Sequence, residues 1–178
     1  VAVRGSEVGE RDDLFKEVRE SMASRLRHSG ATLKVVAEPF VCMMDDRRVL
    51  RSVENVISNS IQAFEGKPGS VTLAASSRGG RLEIAVTDDG PGIPEAVRGT
   101  LFEPFVSHGK GPKIGLGLSV VKRVVEAHGG TVEARTLPEG GTHITLSLPL
   151  VAAGNPGKRE LAPEAPVKKS GPRPTQPI

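Results

Sequence analysis

The chain has no tryptophan, no tyrosine, a single cysteine and no initiating methionine. With five phenylalanines as its only aromatic side chains, its core must be built from aliphatic groups. The lone Cys42 cannot close an internal disulfide. It sits in the apolar run Phe40-Val-Cys-Met-Met44, which suits a packed, inert thiol in a reducing compartment. Four histidines and one cysteine show no zinc-ligand spacing. No stretch of about 18 apolar residues is present to span a bilayer. The polar start Val1-Ala-Val-Arg4-Gly5-Ser6-Glu7 lacks the character of a signal peptide. The expectation is an excised fragment that is itself cytoplasmic and touches no membrane, whatever anchors its parent. The charge gives no support for a nucleic-acid-binding face on the body either. From residue 150 onward five basic side chains face two acidic ones, and the preceding 149 residues balance at 19 of each sign, so the net charge of +3 belongs to the tail.

The 178 residues suffice for one domain with a sizeable core. Residues 1–10 are polar and expected to fray. Over 12–28, Leu14, Phe15, Val18, Met22 and Leu26 recur at spacings of three and four, an amphipathic helix stopped by Ser29-Gly30. A strand over 32–37 precedes Pro39. Asp45 is a good N-cap for a helix reaching Phe64, with Val49, Leu50, Val53, Val56, Ile57 and Ile61 on its apolar side. After the turn Gly66-Lys-Pro-Gly69, strands over 71–76 and 82–87 flank Arg78-Gly79-Gly80 as a hairpin. Residues 88–114 form a long loop rich in Gly and Pro, with a short helix near 94–97; loops of this length are usually functional or disordered. A helix over 116–127 ends at His128-Gly129-Gly130, and 131–135 with 142–148 make a second hairpin. Residues 151–178 hold six Pro and three Gly, too little apolar surface to offset ordering entropy. The fold class is α/β: a two-layer α/β sandwich, its mixed, mostly antiparallel sheet covered by about three helices. The divisions are 1–30, 31–150 and a disordered Pro/Lys-rich tail over 151–178.

Four short blocks carry chemistry. Asn55 and Asn59 lie four apart and share a helix face; an Asn carbonyl can ligate a hard cation such as Mg2+ without adding charge, although the pair alone is equally a solvated face. Asp88-Asp-Gly90-Pro-Gly92-Ile93 follows a strand. A carboxylate there can read an exocyclic amine and its glycines permit close backbone approach, although an ordinary Asx turn looks the same. Leu101-Phe102-Glu-Pro104-Phe105 sets two rings in a loop, either as a hydrophobic plug or as an anchor that repacks. Gly115-Leu116-Gly117-Leu118 opens a helix whose free N–H groups favour phosphate. Between the last two, Ser107 to Lys113 holds Lys110 and Lys113 among small residues, suiting either a solvated loop or one that closes on phosphates; His108 reads as exposed. No Walker A or G-x-G-x-x-G pattern occurs.

In this order the blocks resemble the N, G1, F and G2 boxes of the ATP-binding domain of bacterial sensor histidine kinases, in the superfamily that includes gyrase-type topoisomerases. The resemblance spans about residues 33–148, and the run from Gly115 to Gly130 is its most specific segment. It implies ATP and Mg2+ as cofactors and a mobile ATP lid over 107–113. It implies Mg2+ coordination by Asn59, with Asn55 at phosphate or metal-bound water, and adenine recognition by Asp88. Gly90, Gly92 and Ile93 would shape the pocket, Phe105 would open the lid, and Lys110, Lys113, Gly115, Leu116, Gly117 and Leu118 would surround the phosphates. Thr142 would support the base through water.

Two positions carry more. ATP-hydrolysing relatives and anti-sigma-factor serine kinases have Glu where Asn55 stands. Asn cannot accept a proton, which disfavours both classes, whereas an imidazole acceptor is already nucleophilic near neutral pH. Many histidine kinases have Lys at the position of Gln62, which shifts weight to Lys110, Lys113 or Arg123. The phosphorylated histidine is missing. His28 is followed by Ser29 and lies too near the ATP domain, so 1–30 is expected to be the end of a dimerisation hairpin or a linker. The implied partners are a separate dimerisation and phosphoacceptor domain, a response regulator, and a second copy of the full-length protein. A catalytically silent ATP-binding scaffold is the alternative.

Overall fold

The structure, a computed structural model, describes residues 12–38, 44–106 and 115–150, with side chains described from Phe15 onward. The expectations for the Leu14 side chain, residues 40–43 around Cys42, the Pro39 break, the lid with His108, Lys110 and Lys113, the frayed start and the disordered tail lie outside what is described, while Met44 is buried in the core.

The order of elements is α1 (Asp12–Ser29), β1 (Thr32–Ala37), α2 (Asp46–Ala63), β2 (Ser70–Arg78), β3 (Arg81–Asp88), α3 (Glu95–Arg98), α4 (Gly117–Ala127), β4 (Thr131–Thr136) and β5 (Thr142–Pro149). Five strands form one sheet in the order β1-β2-β3-β5-β4. Only β1 pairs parallel, with β2; the other three pairings are antiparallel. The sheet is therefore mixed and mostly antiparallel, and three long helices cover it. Strands run one or two residues past the periodic apolar stretch. Pairing continues to Arg78 and Arg81, because only Gly79-Gly80 is needed to turn the hairpin.

Period-two burial sends Val71, Leu73 and Ala75 of β2, Leu82, Ile84 and Val86 of β3, and Ile144, Leu146 and Leu148 of β5 into the core. Val49, Val53, Val56 and Ile57 of α2, with Val121 and Val125 of α4, close it from the helical layer. Each fully buried Leu or Ile contributes about 1.5–3 kcal/mol relative to exposure. Helix α1 packs on α2 and β1, and Phe15, Val18, Met22 and Leu26 enter this same core.

Asp45 caps α2 as expected, its Oδ1 accepting from the Arg48 N–H at 3.2 Å. A further bond ties that cap to the far end of α4. The Asp45 N–H donates to His128 Nε2 at 3.1 Å, while His128 Nδ1 bonds the Val124 carbonyl at 2.7 Å. His128 thus joins the start of one helix to the end of another, beyond its expected part in a helix stop. The cleft described below opens between those helices, at the other end of each.

Candidate functional site

A cavity of about 940 Å3 lies between α2, the loop after β3 and the start of α4. Its floor is one face of α2. Positions 55, 59 and 62 recur at spacings of four and three, so Asn55, Asn59 and Gln62 all reach the lining. Gly92, Ile93, Gly115, Leu116, Gly117, Leu118 and Thr142 line it as well.

Asp88 is 6% exposed at the end of β3, and three donors hold its carboxylate. Oδ1 accepts from the Gly90 N–H and the Thr142 N–H, each at 3.0 Å. Oδ2 accepts from the Ser60 hydroxyl at 2.6 Å. A carboxylate offers about four acceptor sites, so roughly one remains for a donor arriving in the cavity. Thr142 reaches Asp88 directly through its backbone. Gly90 does not line the cavity; it acts on the carboxylate through its N–H. Asp89 is exposed and serves the fold, its Oδ1 accepting from the Ser70 N–H at 2.8 Å.

Backbone geometry fixes this end of the site. Gly141 has φ +95°, and a Cβ there would lie 2.1 Å from the Asp88 carbonyl oxygen. Only glycine allows β5 to begin so close to the end of β3. The Ile93 N–H donates to Thr136 Oγ1 at 3.0 Å, pinning the loop after β3 to the end of β4.

The other end is looser. Gly117 faces Asn59: a Cβ at Gly117 would sit 3.8 Å from Asn59 Nδ2, an ordinary contact. Gly115 is tighter. Its φ is +68°, and a Cβ would lie 2.6 Å from the Phe105 carbonyl carbon. The Phe105 N–H donates to the Gly115 carbonyl at 2.9 Å, so residues 105 and 115 meet across the intervening segment. Phe105 is 76% exposed with φ +66° and stands outside the cavity lining, whereas Leu101 and Val106 form part of its wall.

Among the described residues, none hydrogen-bonds the side chains of Asn55, Asn59 or Gln62. No group of three or more His, Cys, Asp or Glu among the described residues could hold a metal. On this face of α2 the oxygen donors without a described partner are the amides of Asn55, Asn59 and Gln62. This set fits a hard cation such as Mg2+ that arrives with most of its ligands from phosphate and water, and it does not fit a protein-caged metal.

Several lining residues were not legible as such. Ser60 follows Asn59 in a buried position. Arg25 comes from α1, and Glu65 from beyond the end of α2. Ser60 carried the one available signal, a hydroxyl one residue from the expected ligand on a helix bounding the site.

The family described as histidine kinase-, DNA gyrase B- and HSP90-like ATPase matches residues 44–152. The alginate biosynthesis sensor protein KinB of Pseudomonas aeruginosa is 35% identical over 108 residues, 60% of this chain and 18% of that protein. The sensor histidine kinase ZraS of Klebsiella oxytoca is 34% identical over 136 residues, 75% of this chain and 28% of that protein. The chain thus spans under a third of either relative. Among solved structures, the mycobacterial sensor histidine kinase MprB is 29% identical with a TM-score of 0.70, covering 81% of this chain and 98% of that one. Full-length ShkA in complex with AMPPNP is 27% identical with a TM-score of 0.75, covering 88% of this chain and 33% of that one. Among the described residues, no helix is long and apolar enough to cross a membrane.

Proposed function

The chain belongs to the family of histidine kinase-, DNA gyrase B- and HSP90-like ATPases and is an ATP-binding catalytic domain of the sensor histidine kinase kind; from that premise we propose that it binds MgATP in the α2–α4 cavity and passes the γ-phosphoryl group to a histidine on a separate dimerisation domain. The observation that carries this reading is the Asp88 carboxylate, buried, held by three donors and left with capacity for one more. That arrangement suits the exocyclic amine of adenine. The AMPPNP bound to ShkA supports the same nucleotide class.

The phosphates would lie toward Asn55, Asn59 and Gln62 and the 115–117 helix start, where α4 offers unpaired N–H groups. Mg2+ would be held there by Asn59 and would neutralise charge on the phosphates. Asn55 cannot accept a proton, so this face does not activate water. The acceptor imidazole needs no base. What the chain contributes is positioning and electrostatics. The receiving histidine lies on a partner domain outside 31–150, and the full-length protein would be a dimer passing the group on to a response regulator.

Titration with ATP in the presence and absence of Mg2+ tests the binding half; the expected result is binding that Mg2+ strengthens and that Asn59→Ala makes Mg2+-independent. Supplying a dimerisation domain with radiolabelled ATP tests transfer. Acid-labile label on that domain is expected. Binding without any transfer would support the silent scaffold, and acid-stable label would point to a serine kinase.

A further inference from the structure

The functional reading leaves the charge at the phosphate end unexplained. Gln62 is uncharged and the two lysines lie outside the described residues. Among the described residues lining the cavity there is one cation, Arg25, against the carboxylates of Glu65 and Asp88. Arg25 belongs to α1, far from the sequence blocks of the site.

Its placement is specific. Helix α1 docks on α2 through two side-chain bonds four residues apart on each helix, Ser21 with Glu54 and Arg25 Nη1 with Ser58 Oγ. At about 100° per residue, Ser58 lies near one edge of the strip formed by Asn55, Ser58 and Gln62, and Asn59 lies on the opposite edge facing Gly117. The groove along α2 therefore has the α4 start as one wall and the Arg25 guanidinium as the other. The bond to Ser58 uses one of five N–H donors, and Arg25 is otherwise exposed toward solvent.

Resting on the MgATP reading, we propose that Arg25 is a phosphate-binding residue, oriented by Ser58, that supplies from α1 the cation missing from the cavity-lining face of α2. A planar guanidinium with several donors on one side suits two phosphate oxygens at once. A bond serving only to dock α1 would have no such preference for ligand charge.

The test is isothermal titration of MgATP and adenosine into the wild-type domain, Arg25→Ala, Arg25→Lys and Ser58→Ala. Arg25→Ala should weaken MgATP about tenfold, flatten the dependence of its affinity on salt, and leave adenosine unchanged. Arg25→Lys should recover part of the loss, and Ser58→Ala should lose less than Arg25→Ala. Equal weakening of both ligands, or unaltered MgATP affinity in a folded Arg25→Ala, overturns the proposal while leaving the nucleotide reading intact. A wild-type domain that binds neither ligand overturns the nucleotide reading itself, and the proposal with it.

Discussion

The two ends of the cavity are built on opposite principles. At the Asp88 end every polar group is fixed within the protein. The carboxylate is held by Ser60, Gly90 and Thr142, and the Ile93 loop is pinned by Thr136. At the Asn59 end the amides of Asn55, Asn59 and Gln62 have no described partner, and the cation comes from another helix. Under the proposed function, the first end would be a preorganised reader of a neutral, flat group. The other would be a partial set of oxygen donors that a metal-bearing ligand completes. Fold and function should therefore be inseparable at the first end and separable at the second.

The sharpest way to break this contrast is a pair of glycine substitutions. Gly141→Ala drives a Cβ to 2.1 Å from the Asp88 carbonyl oxygen at a φ of +95°. It should cost about 3 kcal/mol of stability or more, seen in denaturant melts as a lower midpoint. Gly117→Ala meets only Asn59, at 3.8 Å. It should leave the midpoint within about 0.5 kcal/mol of wild type while lowering MgATP affinity by crowding the helix start. Equal stability effects would dissolve the distinction.

A smaller effect sharpens the first end. Ser60→Ala removes one of three donors to a buried carboxylate. The expected cost is about 1.5–3 kcal/mol, with parallel losses of stability and adenosine affinity. A change in only one of them would show that Ser60 serves either the fold or the ligand alone.

The smallest effect comes from His143, next to Thr142 in β5 but absent from the cavity lining. His143 bonds Thr87 Oγ1 at 2.8 Å and Thr145 Oγ1 at 3.1 Å. Burial first, and the Arg135 charge second, hold its pKa below the ordinary 6.5. As pH falls through 6.5 the unfolded chain takes up the proton before the folded one does. Stability present above 6.5 is therefore lost as pH drops toward the folded value. His143→Asn should flatten that slope in melts across pH 5–7 (the window below the ordinary value) without altering MgATP affinity. An unchanged slope would refute the assignment.

How far the sequence reached follows the same division. The sheet, its hairpins, the Asp45 cap and the α2 stripe were legible because each rests on local periodicity or turn chemistry. Asn55, Asn59 and Asp88 could be picked out as cavity residues because the proposed metal and amine recognition needs particular atoms. Ser60 and Arg25 were not. Ser60 matters only because β3 delivers Asp88 beside it, 28 positions on. Arg25 reaches the cavity because α1 packs on α2, its Phe15, Val18, Met22 and Leu26 buried in the core and its Ser21 bonded to Glu54. The spacing of Phe15, Val18, Met22 and Leu26 predicts a buried stripe, but the stripe would be identical in a dimerisation hairpin. Long-range contacts of this sort leave no local signature. The 2.6 Å approach of a Gly115 Cβ to the Phe105 backbone makes Gly115 a folding position and leaves Gly117 as the clean probe.

The most direct test is Asp88→Asn, read by adenosine titration alongside a denaturant melt. The Asn oxygen can still accept from the Gly90 and Thr142 N–H groups, and Ser60 can turn its hydroxyl to accept from the new NH2, so the fold should survive with a modest loss. The cavity would then face the amine of adenine with a donor, and adenosine affinity should fall about ten- to a hundredfold. A folded Asp88→Asn that binds adenosine as the wild type does would contradict the account.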